Sequence, residues 1–307
     1  MAQLGRSGLD VFPICLGGNV FGWTADEKTS RQVLDAYVAA GGDFIDTANS
    51  YLLEHGQSES IIGRWLAERT DRQRLVIATK VGGGKKYRNL RPETILREAH
   101  DSRERLQVEA IDVYYAHYDD PETPLDESLG AFDELVREGV VRHLGASNYS
   151  AERLEEALSL QRQHGLAEFT VLQPHYNLVE REFEATLLPV ALRWNLAVLP
   201  YFALASGFLT GKYRPGGEAV ESARASSASK YLETGGAEVL TALDAVAKEH
   251  SVSPAAVAIA WLLQRPTVAA PIASARTVEQ LEGLLPAAAL RLSEDDMARL
   301  TGAAGGD

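Results

Sequence analysis

A closed (β/α)8 barrel in one domain spanning residues 1–307 is the fold this sequence predicts, on three observations. Short apolar runs, most of them β-branched or aromatic, recur along the chain. Amphipathic helical segments separate them, and successive runs start roughly 30 residues apart, the length of one βα unit. No linker-like stretch divides the series into separate domains.

The runs are Pro13–Gly18, Asp43–Asp46, Leu75–Lys80, Ile111–His117, Val140–Ser147, Phe169–Gln173, Leu196–Tyr201 and Val268–Ala273. They are too short for helices and lack the polar alternation of half-exposed strands, which suits parallel strands buried on both faces. Helices are expected at Thr29–Ala40 before Gly41-Gly42, at Ser58–Glu68, at Pro92–Leu106 with proline in the first turn, and at Leu125–Glu138 before Gly139. Two more follow at Ser150–Gln163, behind a serine of the N-cap type, and at Glu182–Trp194. Ahead of the first run, Gln3–Phe12 carries turn residues Ser7-Gly8 between short runs and reads as a β-hairpin plugging the barrel floor. Between Tyr201 and Val268 the spacing doubles. That interval holds a polar, Gly- and Ser-rich stretch, Tyr213–Gly236, then helices at Ala237–His250 and Pro254–Gln264, and it stands over the C-terminal face of the strands. A last helix is expected at Glu294–Thr301. The alternative, an open doubly wound sheet, normally opens with a Gly-rich turn, and LGGNVFG (Leu16–Gly22) does not match GxGxxG.

Composition narrows the function. The chain is 45% hydrophobic and 24% charged, which is typical of a globular protein. Its 30 Lys and Arg against 43 Asp and Glu leave a net charge of −13, so neither nucleic acid nor an anionic membrane surface is expected as a partner. No apolar run reaches the ~18 residues of a membrane helix. The opening MAQLGRSGLDVF has no apolar signal core, so a cytoplasmic location is the expectation. The single Cys15 excludes an intramolecular disulfide and a multi-cysteine metal site. His117, Asp119 and Asp120 have no second histidine at ligand spacing, and no metal is expected. Self-association is left open.

In a barrel, polar residues at the C-terminal ends of strands face the site. In order these are Asp46, with Tyr51 just beyond it, then Lys80, His117, Ser147-Asn148, Gln173 and Tyr201. A tyrosine of ordinary pKa about 10 is a poor acid at neutral pH. The Lys80 ammonium favours its phenolate, and Asp46 can serve as counter-ion to Lys80. The three form a relay that makes Tyr51 a general acid–base, with His117 as a second donor toward a developing alkoxide. Such a set suits proton transfer to a carbonyl oxygen. No side chain supplies hydride, so a nicotinamide or flavin is required. Arg276, on a loop before a helix, is what a 2′-phosphate would need. Phe21, Trp23, Tyr87 and Phe202 are the apolar candidates around the mouth and favour a bulky or aromatic carbonyl. The structural alternatives are a rim salt bridge for Asp46 and Lys80 and a packed aromatic for Tyr51, while His143 and His175 read as structural. A Schiff-base lyase on Lys80 would need an uncharged lysine, which Asp46 opposes. Gly82-Gly83-Gly84-Lys85-Lys86 lacks the Ser/Thr of a P-loop.

The motifs FIDTANSY (Phe44–Tyr51), ATK (Ala78–Lys80), IDVYYAHYDD (Ile111–Asp120), LGASNYS (Leu144–Ser150), LQPHYNLVER (Leu172–Arg181), FLTGKY (Phe208–Tyr213) and SARTVEQLE (Ser274–Glu282) resemble, in order and over nearly the whole chain, those of the aldo-keto reductases. The likeness is greatest to bacterial members related to aryl-alcohol dehydrogenases and potassium-channel β-subunits. The resemblance implies a (β/α)8 barrel and reversible reduction of a small-molecule carbonyl, an aldehyde or ketone, with NADPH/NADP+ as cofactor. Tyr51 takes the family's acid–base position, Lys80 and Asp46 those of its pKa-tuning partners, and His117 that of its substrate-orienting histidine. Ser147, Asn148 and Gln173 fall where the nicotinamide carboxamide is bound, and Tyr201 where an aromatic ring stacks on it. Ser206, Leu209, Gly211 and Lys212 fall in the loop over the pyrophosphate, and Ser274, Arg276 and Gln280 in the adenosine-phosphate segment. PIASAR stands where many relatives have PGAR, Gly283 and Leu284 where they carry Glu and Asn, and YFALASG where YSPLA-type sequences are common. The alternative function is a regulatory module that holds NADPH and turns over slowly.

Overall fold

The computed structural model describes residues 1–51, 56–84, 88–216 and 223–305. The chain opens with an antiparallel hairpin of β1 (Ala2–Gln3) and β2 (Asp10–Val11), turned through Ser7 and Gly8, whose φ of 75° is one that glycine adopts freely. Eight parallel strands follow: β3 (Cys15–Gly17), β4 (Phe44–Asp46), β5 (Val76–Val81), β6 (Ile111–Ala116), β7 (Val141–Ser147), β8 (Phe169–Gln173), β9 (Ala197–Val198) and β10 (Ile272–Ala273). From β3 to β9 each strand pairs with the next in sequence, and β10 pairs with β3. The ring closes where the Val198 amide donates to Thr267 O, the Ala269 amide to Val198 O and the Ile272 amide to Pro200 O, each at 2.9 Å. The seventh and eighth runs supply only two strand residues each. Pro200 and Pro271 have no amide proton and interrupt the ladder there.

Helices α1 (Glu27–Ala39), α2 (Gln57–Ala67), α3 (Pro92–Leu106), α4 (Leu125–Arg137) and α5 (Ala151–His164) follow β3 to β7 in turn. Asp26 caps α1 by accepting from the Thr29 amide, and Ser150 caps α5 by accepting from the Arg153 amide. The single helix expected at Glu182–Trp194 is two, α6 (Glu182–Thr186) and α7 (Leu188–Trp194), because Pro189 cannot donate across the join. The long connection from β9 to β10 carries α8 (Ala225–Ser229), a 3-10 turn at Lys230–Thr234, α9 (Gly236–His250) and α10 (Pro254–Leu263). Two more helices, α11 (Val278–Glu282) and α12 (Glu294–Ala303), end the fold.

Side-chain alternation sorts each strand into two sets. Phe44, Val76, Ala78, Val113, Tyr115 and Val171 point into the barrel, where Leu4 and Val11 of the hairpin pack beneath them. Ile45, Ile77, Tyr114 and Leu144 point outward into the layer shared with the helices. The same alternation continues upward. Asp46 follows Phe44, and Lys80 follows Val76 and Ala78, so both charges stand on the interior side, above an apolar layer and a plugged floor.

The helical ring is tight where α2 meets α3. A β-carbon on Gly63 would overlap the Arg105 backbone carbonyl, an atom that cannot move aside alone. Gly63→Ala is expected to lower unfolding stability by about 1–3 kcal/mol, read as a shift of the urea midpoint at constant slope. An unchanged midpoint would mean that the two helices part without cost.

Candidate active site

Lys80 and Asp46 meet at the top of adjacent strands, with 0% and 2% of their side chains exposed. Lys80 Nζ donates to Asp46 Oδ2 and to the Thr47 carbonyl at 2.6 Å each, and to the Tyr51 hydroxyl at 3.3 Å. Gln173 Nε2 donates to the other Asp46 oxygen at 3.0 Å. Burial by itself would lower the pKa of Lys80, but Asp46 and then Tyr51 raise it above its ordinary value, so the ammonium is retained. That condition is the reverse of what a Schiff-base lysine needs. Tyr51 departs from the sequence expectation. Lys80 does pull its pKa down, but burial acts more strongly, and the phenol sits above its usual value. At neutral pH Tyr51 therefore holds its proton and is a donor.

The Tyr51 loop is anchored from behind. Thr47 Oγ1 donates to Ser58 Oγ, which donates to the Gly18 carbonyl, and Asn49 Nδ2 donates to Glu98 Oε2 on α3 at 2.9 Å. His117 lies edge-on to Tyr51, with ring centroids 6.1 Å apart, and stacks on Tyr118 at 5.0 Å. Gly83 lies flat against it, and a β-carbon there would overlap Nδ1. Burial, followed by the nearby charges of Lys80 and Arg88, lowers the His117 pKa to about 3, so the imidazole is neutral.

Asn148 links the two halves of the site. Its Nδ2 donates to the His117 carbonyl at 2.8 Å and to Ser147 Oγ at 3.0 Å, while its Oδ1 accepts from the Tyr201 hydroxyl at 2.8 Å. Ser147 Oγ in turn donates to the Gln173 carbonyl at 2.8 Å.

These residues face one cavity of about 740 Å³. Asp46, Tyr51, His117, Ser147, Asn148, Gln173 and Tyr201 line its base, Ser206 and Lys212 one wall, and Ser274, Arg276 and Gln280 the far end. Lys80 lies beneath Asp46 and Tyr51. Trp23 and Phe202, 48% and 41% exposed, flank the mouth. Three expected residues do not line the cavity. The Phe21 amide bonds back to Gly18 O in a tight turn that buries the ring fully in the core. Leu209 is also core, and Gly211 is not among the residues that line the cavity. Tyr87 lies outside the described residues.

Sequence reasoning missed Arg224, which lines the cavity with its guanidinium 5.6 Å from the Trp23 ring and 6.0 Å from that of Phe202. Its Ser/Ala-rich surroundings have no periodicity to mark it. Gly17 and Asn19 of the LGGN turn also line the cavity, and Asn19 Oδ1 accepts from Ser274 Oγ at 2.7 Å. The wall after β9 is held in a costly backbone form: Phe202, Ala205 and Ser206 have φ of 52°, 47° and 59°.

The state of His117 is directly observable. Its imidazole is expected to show no protonation step between about pH 5 and pH 9 in a histidine-resolved NMR titration, since its pKa is lowered to about 3. Because the unfolded chain takes up that proton near pH 6.5, the folded state loses stability as pH falls from there. A step near 6.5 in the folded protein would contradict the burial.

The model of the Aldo/keto reductase family matches residues 13–304. The uncharacterized oxidoreductase YrpG of Bacillus subtilis is 35% identical over 304 residues, covering 95% of this chain and 92% of that protein. Protein tas of Escherichia coli is 31% identical over 331 residues, covering 97% and 95%. The aryl-alcohol dehydrogenase GME11368 of Pestalotiopsis microspora is 30% identical over 304 residues, covering 94% and 77%. Among the described residues no helix is long and apolar enough to cross a membrane. Matched over most of its length by that family and across nearly all of it by these relatives, the chain belongs to the aldo/keto reductase family of oxidoreductases.

Proposed function

We propose that this protein reduces aldehydes or ketones to alcohols with NADPH, with Tyr51 as the proton donor. The observation that carries the reading is the single Lys80 ammonium in contact with both Asp46 and the Tyr51 hydroxyl at the cavity base.

Proteins of this family generally use a nicotinamide cofactor, and the donor set of the cavity fits one. Lys212, Arg224 and Arg276 line it in a chain of net charge −13, which suits the phosphates of a dinucleotide. Ser147, Asn148 and Gln173 offer amide and hydroxyl groups beside the Tyr201 ring. Ser206 belongs with Lys212 to the wall that would face the pyrophosphate. Ser274, Arg276 and Gln280 would hold the adenosine phosphate, and Gln280 Oε1 accepts from the Arg276 amide at 3.0 Å. When bound, the nicotinamide supplies the hydride that reaches the carbonyl carbon.

The chain supplies the rest. Tyr51, protonated in its buried position, gives its proton to the carbonyl oxygen as negative charge grows there. Lys80, kept cationic by Asp46, stabilises the phenolate left behind. His117 is neutral, so it offers an N–H to the same oxygen without adding a full charge. Trp23 and Phe202 give the mouth two apolar faces, which favour bulky or aromatic carbonyls.

Two variants test this. Tyr51→Phe removes the proton donor alone. It is expected to bind NADPH within about twofold of wild type in a fluorescence titration and to lose about 10²-fold or more of its kcat with 4-nitrobenzaldehyde. Unchanged kcat would remove Tyr51 from the mechanism, and binding without turnover in the wild type would point to the regulatory module instead. Arg276→Ala is expected to weaken NADPH by about tenfold or more and to leave NADH nearly unchanged. Equal losses for both would withdraw the 2′-phosphate assignment.

A further inference from the structure

Tyr201 is held on several sides. Its hydroxyl donates to Asn148 at 2.8 Å, its backbone amide donates to Pro174 O at 2.9 Å, and its ring lies on that of His175 with centroids 5.3 Å apart and 12° between the planes. Phe202 closes the edge of the stack, 5.3 Å from Tyr201 at 70° and 5.5 Å from His175 at 77°. His175 does not line the cavity, whereas Tyr201 does. The imidazole is therefore a backing plate, and its Nε2 is buried without a hydrogen-bond partner among the described residues.

A backing plate that can gain a charge does more than fix a ring. An oxidised nicotinamide is cationic and a reduced one is neutral, so a positive charge behind Tyr201 acts on the two differently. We propose that His175 is a positioning residue that sets how much more tightly the protein holds reduced than oxidised cofactor, and that it does so in a proton-linked way. This rests on the proposed seat of the nicotinamide at the cavity face of Tyr201.

The surroundings set the sign. Burial acts most strongly on His175 and lowers its pKa, the Glu180 carboxylate raises it, and Lys230 lowers it. Glu180 is itself occupied, accepting from the Tyr231 hydroxyl at 2.8 Å and from Lys230 Nζ at 3.4 Å. At neutral pH the stack is thus two uncharged rings, and the imidazolium forms only in acid. Oxidised cofactor then meets a like charge, while reduced cofactor does not. Other titrations drop out of the comparison. His117 stays neutral to about pH 3, and the 2′-phosphate, with its second pKa near about 6, is common to both cofactor forms and cancels in their ratio.

The test is to measure Kd for NADP+ and NADPH by calorimetry on the full chain at about pH 8 and about pH 5.5. Wild type, His175→Phe, His175→Gln and Tyr201→Leu are compared. The expected wild-type result is a ratio of Kd for NADP+ to Kd for NADPH that rises about threefold or more toward acid pH. In His175→Phe, which keeps a stacking ring, and in His175→Gln, which does not, the ratio is expected to be independent of pH. An NMR titration of the His175 imidazole should show its pKa lower in the NADP+ complex than in the NADPH complex. A flat wild-type ratio, or a slope that survives in both His175 variants, would overturn the inference while leaving the reductase reading intact. If Tyr201→Leu binds both cofactors as wild type does, the nicotinamide does not sit on that ring, and the proposed placement falls together with the role of His175.

Discussion

An ammonium group with no exposure to solvent is stable only if every side of it is answered, and the top of this barrel is arranged to answer Lys80. Asp46 comes from the neighbouring strand, the Thr47 carbonyl from the turn after it, and Gln173, four strands further round the ring, holds the second Asp46 oxygen in place. The pairing of Asp46 with Ala78 across β4 and β5 fixes the height at which the charges meet. Removing one partner of such a pair leaves an uncompensated buried charge and typically costs several kcal/mol. The chemistry of the site and the integrity of the barrel rim therefore rest on the same few atoms.

The opposite face of β5 repeats the logic. Thr79 points away from the barrel and donates to Glu59, a carboxylate with no exposure, which also accepts from Arg105 Nε at 2.6 Å. Consecutive residues of one strand thus carry polar groups into two buried layers, each with its own counter-charge. The base of the cavity is built from strand ends and held by such pairs. The mouth, by contrast, is built from loops with two exposed aromatics and a run of left-handed backbone. A rigid base suits a proton relay that must keep its distances, and an apolar rim suits substrates of varied shape.

Most of this architecture was legible in the sequence because barrel strands buried on both faces leave an unmistakable apolar run. Asp46, Lys80, His117, Ser147 and Gln173 could be placed because each closes such a run. What stayed hidden depended on single backbone events. The prolines at 200 and 271 shorten β9 and β10, Pro189 splits a helix, and one turn hydrogen bond at Gly18 sends Phe21 into the core while Trp23 goes to the rim. The sign of the Tyr51 pKa was hidden for another reason. It is a contest between burial and a neighbouring charge, and only the depth of the ring decides it. Arg224 lay in a stretch without pattern and became visible only when the long connection folded back over the cavity.

Asn148 carries a consequence of a different kind. One side-chain amide steadies both the Tyr201 ring and the backbone of His117, in a residue whose φ of 56° asparagine tolerates better than most side chains. A single position is therefore constrained from two directions at once. Drift at 148 cannot retune the aromatic seat without disturbing the histidine, so divergent descendants of this chain would have to change one of those two places through its other neighbours. Phe202, whose ring lies 5.3 Å from that of the tyrosine, is one such neighbour; Gly83 is not, because a β-carbon there would overlap the histidine ring.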